Sequence, residues 1–271
     1  MTVVDPNRDP ADVDVDRGLA PGAAPPIAAR TRTGWRGLVI RPILIAIILV
    51  TLYLVVQGLP IDSIEARYLN GDELVRELIE HVQLSVISTV CTIAIAVPLG
   101  VLITRPAARW IKPAGLGLGN LGQAIPSIGL VVLLALWMGT GFTTVLVALV
   151  VYAVLPVLRN TIVGLEGVDR TIIESARGMG MSKLAVLARI ELPLAVPVIL
   201  AGIRTALVLT FASATLATFI GGGGLGGGLV AGIGLDRPIL SVTYGIIVAA
   251  LALFADWLGL VAEKVLRPGG I

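Results

Sequence analysis

Charge is scarce in this chain. Of its 271 residues only 14% are Asp, Glu, Lys or Arg, whereas a soluble domain carries roughly 25%. That shortage excludes an ordinary water-facing globule. Cysteine occurs once, as Cys91, and histidine once, as His81. One of each supplies no intrachain disulfide, no metal site and no nucleophile paired with an imidazole base. Covalent chemistry, a metal and a cofactor are therefore not expected in this chain. What remains is apolar: the hydrophobic fraction is 56% and the mean hydropathy +0.95. The composition is that of an all-α integral membrane protein.

Residues 1–37 depart from this pattern. They are rich in Asp, Pro, Ala and Gly and hold no stretch able to bury a core, so a disordered tail is expected. They also lack the apolar centre of a signal peptide. Beyond them, about six stretches approach the roughly 20 apolar residues that a crossing helix needs. They are 38–59, 82–104, 114–138, 142–158, Pro193 to about Ile220, and 239–262. The third is broken by glycines and Pro126; its first half, up to Gln123, either crosses with the rest or instead lies along the surface or lines a cavity.

Basic residues set the orientation. Arg30, Arg32, Arg36 and Arg41 precede or open the first span; Arg105, Arg109 and Lys112 follow the second. Arg159, Arg170, Arg177, Lys183 and Arg189 mark the segment 159–192, and Lys264 and Arg267 the end of the chain. The alternate segments hold only Arg67, Arg76 and Arg237. Both termini and the segment 159–192 are therefore expected in the cytoplasm. The acidic loop 60–81 is expected outside.

The cytoplasmic stretch ESARGMGMSKLAVLARIELP, 174–193, is an island of pattern between spans. Asp169 is placed to cap one short helix, with Ile172, Ile173 and Ala176 on one face. Gly178-Met179-Gly180 breaks it. Gly180 permits either a close approach or a left-handed backbone. Ser182 is placed to cap a second helix with Leu184, Leu187 and Ala188 on one face, and Pro193 is expected to close it. Such a unit either lies on lipid headgroups, docks on a partner protein or is a plain polar loop. A nucleic-acid reader pinned between two spans would be out of place.

The spacing is similar to the "EAA" loop of ABC importer permeases. Glu174, Ser175 and Ala176, then Gly180 after three residues, then Ile190, Leu192 and Pro193 resemble that pattern, with Ser175 standing for Ala. HVQLSVIS (81–88), QAIPSIGLVVLLAL (123–136), LPVLRNTIVGLEGVD (155–169), AGIRTA (201–206) and FIGGGGLG (219–226) resemble the osmoprotectant branch, the importers of glycine betaine, choline and carnitine. The resemblance covers about 75–267 and implies a MetI-like permease fold. Residues 1–37 and the additional span 38–59 fall outside it.

The resemblance implies a coupling loop, 169–192, seated on a cytosolic ATPase dimer that carries the ATP and Mg. It also implies a second permease chain, identical or paralogous, and an extracytoplasmic substrate-binding protein, with this chain embedded in the lipid of a bacterial cell membrane. A quaternary ammonium is usually held in an aromatic cage. This chain has only four each of Phe, Trp and Tyr, so the cage is expected on the binding protein. Two other readings are the same machine for methionine or another amino acid, and a secondary transporter. The latter would show repeated broken helices or paired intramembrane carboxylates.

Further residues are candidates for the translocation path or its gate. Arg204 lies within a span, where an arginine costs roughly 2.5–3.5 kcal/mol; it either lines a cavity or snorkels at the cytoplasmic surface. Gln123 and Ser127 flank the break at Pro126. Gly223 and Gly224 lie in GGGGLGGG, 221–228, which lacks the Gly-Lys-Ser/Thr ending of a nucleotide loop and reads as a re-entrant turn. The related turn has an Asp soon after its glycines; Gly227 and Gly228 stand there instead. Asp256 is expected to pair or be exposed, His81 to cap an interface, and Cys91 to be a small core residue. Gly115 and Gly119 form a GxxxG packing pattern.

Overall fold

The computed structural model describes residues 35–266, with side chains from Leu38. The expected tail, 1–37, falls almost wholly outside the described residues. Helices α1 (Trp35–Gly58), α2 (Ser63–Tyr68), α3 (Gly71–Thr104), α4 (Lys112–Ala124), α5 (Ser127–Met138) and α6 (Phe142–Glu166) come first. Then follow α7 (Arg170–Gly178), α8 (Lys183–Val186), α9 (Leu192–Ser213), α10 (Gly226–Gly234) and α11 (Pro238–Leu266). No strand occurs among the described residues. Five helical stretches are long and apolar enough to cross a membrane. A sixth arises if α4 and α5, bent by 102° at Pro126, count as one.

Helix α6 is the axis of the bundle, packed by α3, α9, α4 and α5. Without a hydrophobic driving force between helices in lipid, close packing of small residues does the work. A Cβ at Gly202 of α9 would lie 2.7 Å from the Pro156 carbonyl oxygen of α6, and one at Gly100 of α3 2.6 Å from the Thr161 methyl. Leu84, Val131, Val145 and Leu149 form the core toward one end; Ala96, Ile103, Val157 and Leu158 form it toward the other.

The two ends are chemically distinct. At one, Arg237 pairs with Asp62 at 2.7 Å, Tyr244 donates to the Tyr68 carbonyl at 2.9 Å, and the Gly141 amide donates to Ile220 at 2.7 Å. At the other lie the start of α1, the end of α11 and the loop between α6 and α9. There Arg105 binds Glu191 at 2.6 Å and Lys112 binds Glu166 at 2.7 Å.

Several expectations are corrected. The segment 60–81 is not a loop. Asp62 and Glu65 form a reciprocal capping box that starts α2, and Asn70 caps an α3 that begins eleven residues before the expected span. Asp72 and Glu73 favour that helix start electrostatically. Its turns persist because Glu77 and His81 face inward. His81 is fully buried rather than capping an interface, and its Nε2 donates to the Phe211 carbonyl at 2.9 Å. Cys91 is half-buried.

Helix α4 packs on the bundle by one side, while Leu118 and Leu121 on the other are exposed. It stands against α6, with Gly119 on Leu155 and Gly122 on the Val151 carbonyl, while Gly115 meets Ile103; the GxxxG pattern is used for packing. The second glycine cluster, Gly226–Gly228, is not turn but the start of α10. There the ring of Tyr244 occupies the space a Cβ at Gly228 would need.

Candidate functional site

The loop joining α6 to α9 is assembled from local signals. Asp169 Oδ1 accepts from the Thr171 amide at 2.8 Å and its hydroxyl at 2.7 Å, starting α7. The Thr171 hydroxyl, then its amide, hold the Asp169 carboxyl below its usual range. The helix ends in a Schellman motif: the Gly180 amide donates to the Arg177 carbonyl at 3.0 Å and the Met181 amide to Ala176 at 3.2 Å. That closure needs a left-handed residue, and Gly180 has φ +86° with nothing within 4 Å of a Cβ. Of its two possible roles, the backbone conformation is the one realised. Ser182 then starts α8 by accepting from the Ala185 amide at 3.2 Å.

Pro193 does not close this second helix. Residues 187–191 form a π turn in which the Leu192 amide reaches the Leu187 carbonyl, and the chain runs on helically as α9. Proline removes a donor and crowds the carbonyl four residues back; the wider π turn absorbs both. Lys183–Ile220 is thus one continuous apolar rod.

The expected motif residues divide by position. Glu174 and Ser175 are exposed on α7, Ala176 is buried beneath it, and Gly180 makes the turn. Ile190, Leu192 and Pro193 are half-buried at the root of the rod. Ala176 and Val186, each 1% exposed, are the buried residues of α7 and α8, which pack on each other; Leu187 packs against the cluster of Leu165, Ala195 and Ile199. Met179 and Leu184, each 77% exposed, project away together with Ile172. The face expected from spacing was Leu184, Leu187 and Ala188. Structure turns Leu187 inward, leaves Leu184 outside, and adds the unforeseen Val186.

A cavity of about 780 Å³ opens beside α7. Glu174, Arg170, Arg177 and Ile173 line it with Arg105, Arg109, Glu166 and Glu191. The pairing of Arg105 with the buried Glu191 was not foreseen, although a lone carboxylate between Ile190 and Leu192 was a signal for it.

The candidate path residues are not gathered into one site. Arg204 of α9 forks onto Asp256 of α11 through Nε and, at 2.9 Å, Nη2. Asp256 also holds Arg41 of α1 at 2.6 Å. Gln123 reaches the Tyr152 carbonyl at 3.3 Å, and Ser127 opens α5 just past the bend. Gly223 and Gly224, φ +79° and +85°, lie against α3, where Glu80 accepts from the Gly224 amide at 3.0 Å. Sequence reading also missed a buried polar run on α3, His81, Ser85, Ser88, Thr89 and Thr92. Its four-residue rhythm was the available signal. Thr89 reaches Thr210 of α9 at 2.9 Å.

Residues 96–267 match the family described as "Binding-protein-dependent transport system inner membrane component". Among curated proteins the chain is similar to the choline transport system permease protein OpuBB of Bacillus subtilis (strain 168), 41% identical over 204 residues. That match covers 74% of this chain and 92% of the relative. The osmoprotectant import permease protein OsmW of Salmonella typhimurium is 34% identical over 215 residues, covering 78% and 99%. Among solved structures, the inward-facing MetNI methionine ABC transporter superposes with a TM-score of 0.63 over 72% of this chain and 96% of that one. At 23% identity this likeness speaks for the fold.

Proposed function

The chain belongs to the family of binding-protein-dependent inner-membrane transport components and is the permease subunit of an ABC importer; we propose that its cargo is an osmoprotectant such as glycine betaine, choline or carnitine. The observation that carries the mechanical part is the unit 169–192. It is a capped, glycine-closed knob with exposed apolar tips, rooted through a π turn in a rod that runs into the bundle.

Met179, Leu184 and Ile172 seat in a groove of a cytosolic ATPase, which binds ATP and Mg and belongs to another chain. Closure of the ATPase dimer pushes the knob, and the push enters the bundle through α9. The bundle then tips from inward- to outward-open, and an external binding protein delivers the solute. Glu174, Ser175, Ala176, Gly180, Ile190, Leu192 and Pro193 serve this coupling: the first four shape the knob and the last three its root. Arg204, Gln123, Ser127, Gly223 and Gly224 remain proposed contributors to the path or its gate. The permease works paired with a second copy or a paralogue, with the start of α1 and the end of α11 on the cytoplasmic side.

The solute assignment rests on the named substrates of relatives that match most of the chain. It is tested by uptake of radiolabelled glycine betaine, choline, carnitine and methionine into proteoliposomes holding the chain with its ATPase. Uptake of a quaternary ammonium that needs both ATP and the binding protein supports the proposal. Full saturable uptake by the chain alone, or uptake of methionine only, overturns it.

A further inference from the structure

Helix α1 lies outside the matched family region, 96–267, and only 6% of its apolar window is buried. It packs on α11, burying Ile45, and two polar contacts add to that packing. Arg41 of α1 holds Asp256 of α11 at 2.6 Å, and one turn of chain away Trp257 Nε1 donates to the Leu38 carbonyl at 2.7 Å. The same Asp256 carboxylate is forked by Arg204 of α9. The stem of Arg204 runs over Gly259, where a Cβ would lie 2.9 Å from it, so α11 is shaped to let the arginine across.

The charge balance of this triad is informative. Neutralising Arg204 takes one carboxylate, and Asp256 supplies it. Arg41 adds a second cation, leaving the group with net charge +1. It is superfluous for neutralising Arg204, and what it adds is a link to α1. Ion pairs of this kind contribute little net stability against apolar packing, and their better-attested use is to fix one arrangement. The geometry fixes α9, α11 and α1 to a single carboxylate. Helix α9 is the upper part of the rod that begins in the knob at Lys183.

We propose that Asp256 is a positioning residue for transport: by gripping Arg204 and Arg41 together it makes α9, α11 and α1 one moving body, so that a push on the knob moves all three helices. This rests on the coupling reading of the loop. When the carboxylate is removed, the rod turns without carrying its neighbours. ATP is then consumed with little solute moved.

The test measures solute imported per ATP hydrolysed in proteoliposomes containing the ATPase and binding protein. Asp256→Asn lowers that ratio about tenfold, the loss of a coupling of ordinary size, while the ATPase still co-purifies and turns over. Arg41→Gln cuts only the ion pair to α1, leaving the Trp257–Leu38 bond, and lowers the ratio by a smaller factor; Asp256→Glu restores most of it. A ratio unchanged in Asp256→Asn overturns the proposal, as does a parallel fall of uptake and hydrolysis, which marks a merely structural clamp. Should Asp256→Asn fail to insert, Arg41→Gln decides by the same ratio, because the Arg204 pair is then intact. Failure of the ATPase to bind even the unaltered chain would instead contradict the coupling reading itself.

Discussion

The knob at 169–192 and the glycine-rich segment at 221–234 are both punctuated by glycine, yet they are built in opposite ways. The knob is specified from within. Asp169 and Ser182 cap its helices, Gly180 closes the first, and no atom lies within 4 Å of where a Gly180 side chain would be. The second segment is specified by what surrounds it. Glu80 of α3 takes the Gly224 amide, the ring of Tyr244 fills the space above Gly228, and Ser241 crowds Gly232. The same residue type serves a backbone angle in one place and bare proximity in the other. Locally specified structure can project from the bundle and engage a partner. Packed structure of the second kind holds the bundle together.

The contrast is broken most severely at Gly180. Gly180→Asp forces a side chain into a left-handed position at a cost of order 1–3 kcal/mol. Uptake is expected to fall to background, with weakened ATPase co-purification and normal membrane insertion. Glu174→Lys, which alters the exposed side of the same helix, is expected to do likewise; normal uptake in both would separate the knob from coupling. Because nothing packs on Gly180, no neighbouring substitution should rescue it.

At Gly228 the expectation is reversed. Gly228→Ala overpacks against Tyr244 and is expected to cost about 1–3 kcal/mol, read as a lowered Tm in detergent with ATPase co-purification intact. Tyr244→Leu in the same chain should recover part of the loss. If no such rescue occurs, the view of this segment as set by packing fails.

A smaller effect is expected at the second cap. Ser182→Ala removes one acceptor and costs about 1 kcal/mol of local helix stability, seen as faster amide exchange over 183–187 with uptake only modestly reduced. The smallest effect concerns pH. The Asp169 carboxyl is held below its usual value of 3.8 by Thr171. Its contribution is therefore complete above that value and lost as pH falls through the lower folded-state value. Exchange protection of α7, corrected for intrinsic rates, should be flat from neutral pH to about 5.

The same division explains what was legible in the sequence. Asp169, Gly180 and Ser182 could be read in place because capping and turn closure depend on a few adjacent residues. The spans were legible from hydropathy, and the loop from its fixed spacing. The break at Pro126 was legible too, because the residue before a proline, here Ile125, leaves the helix. The stance of α4 on α6 and the start of α10 were not, because they arise from contacts of Gly119, Gly122 and Gly228 with other helices. The helical run through Pro193 was hidden by a local rule that a π turn evades. The Arg41–Asp256–Arg204 triad joins residues up to 215 positions apart. Hydropathy showed that Arg204 needed a reason to be there, but could not show which carboxylate supplied it.

Coupling requires that a cytosolic ATPase grip the knob. It is tested most directly by replacing Leu184, 77% exposed, with cysteine in a chain whose single Cys91 is changed to serine. A membrane-impermeant thiol reagent is then applied to right-side-out and inverted vesicles, with and without the ATPase bound. Labelling in inverted vesicles alone, blocked when the ATPase is present, is the predicted result. Labelling from the outer side, or labelling that the ATPase leaves unchanged, would contradict it.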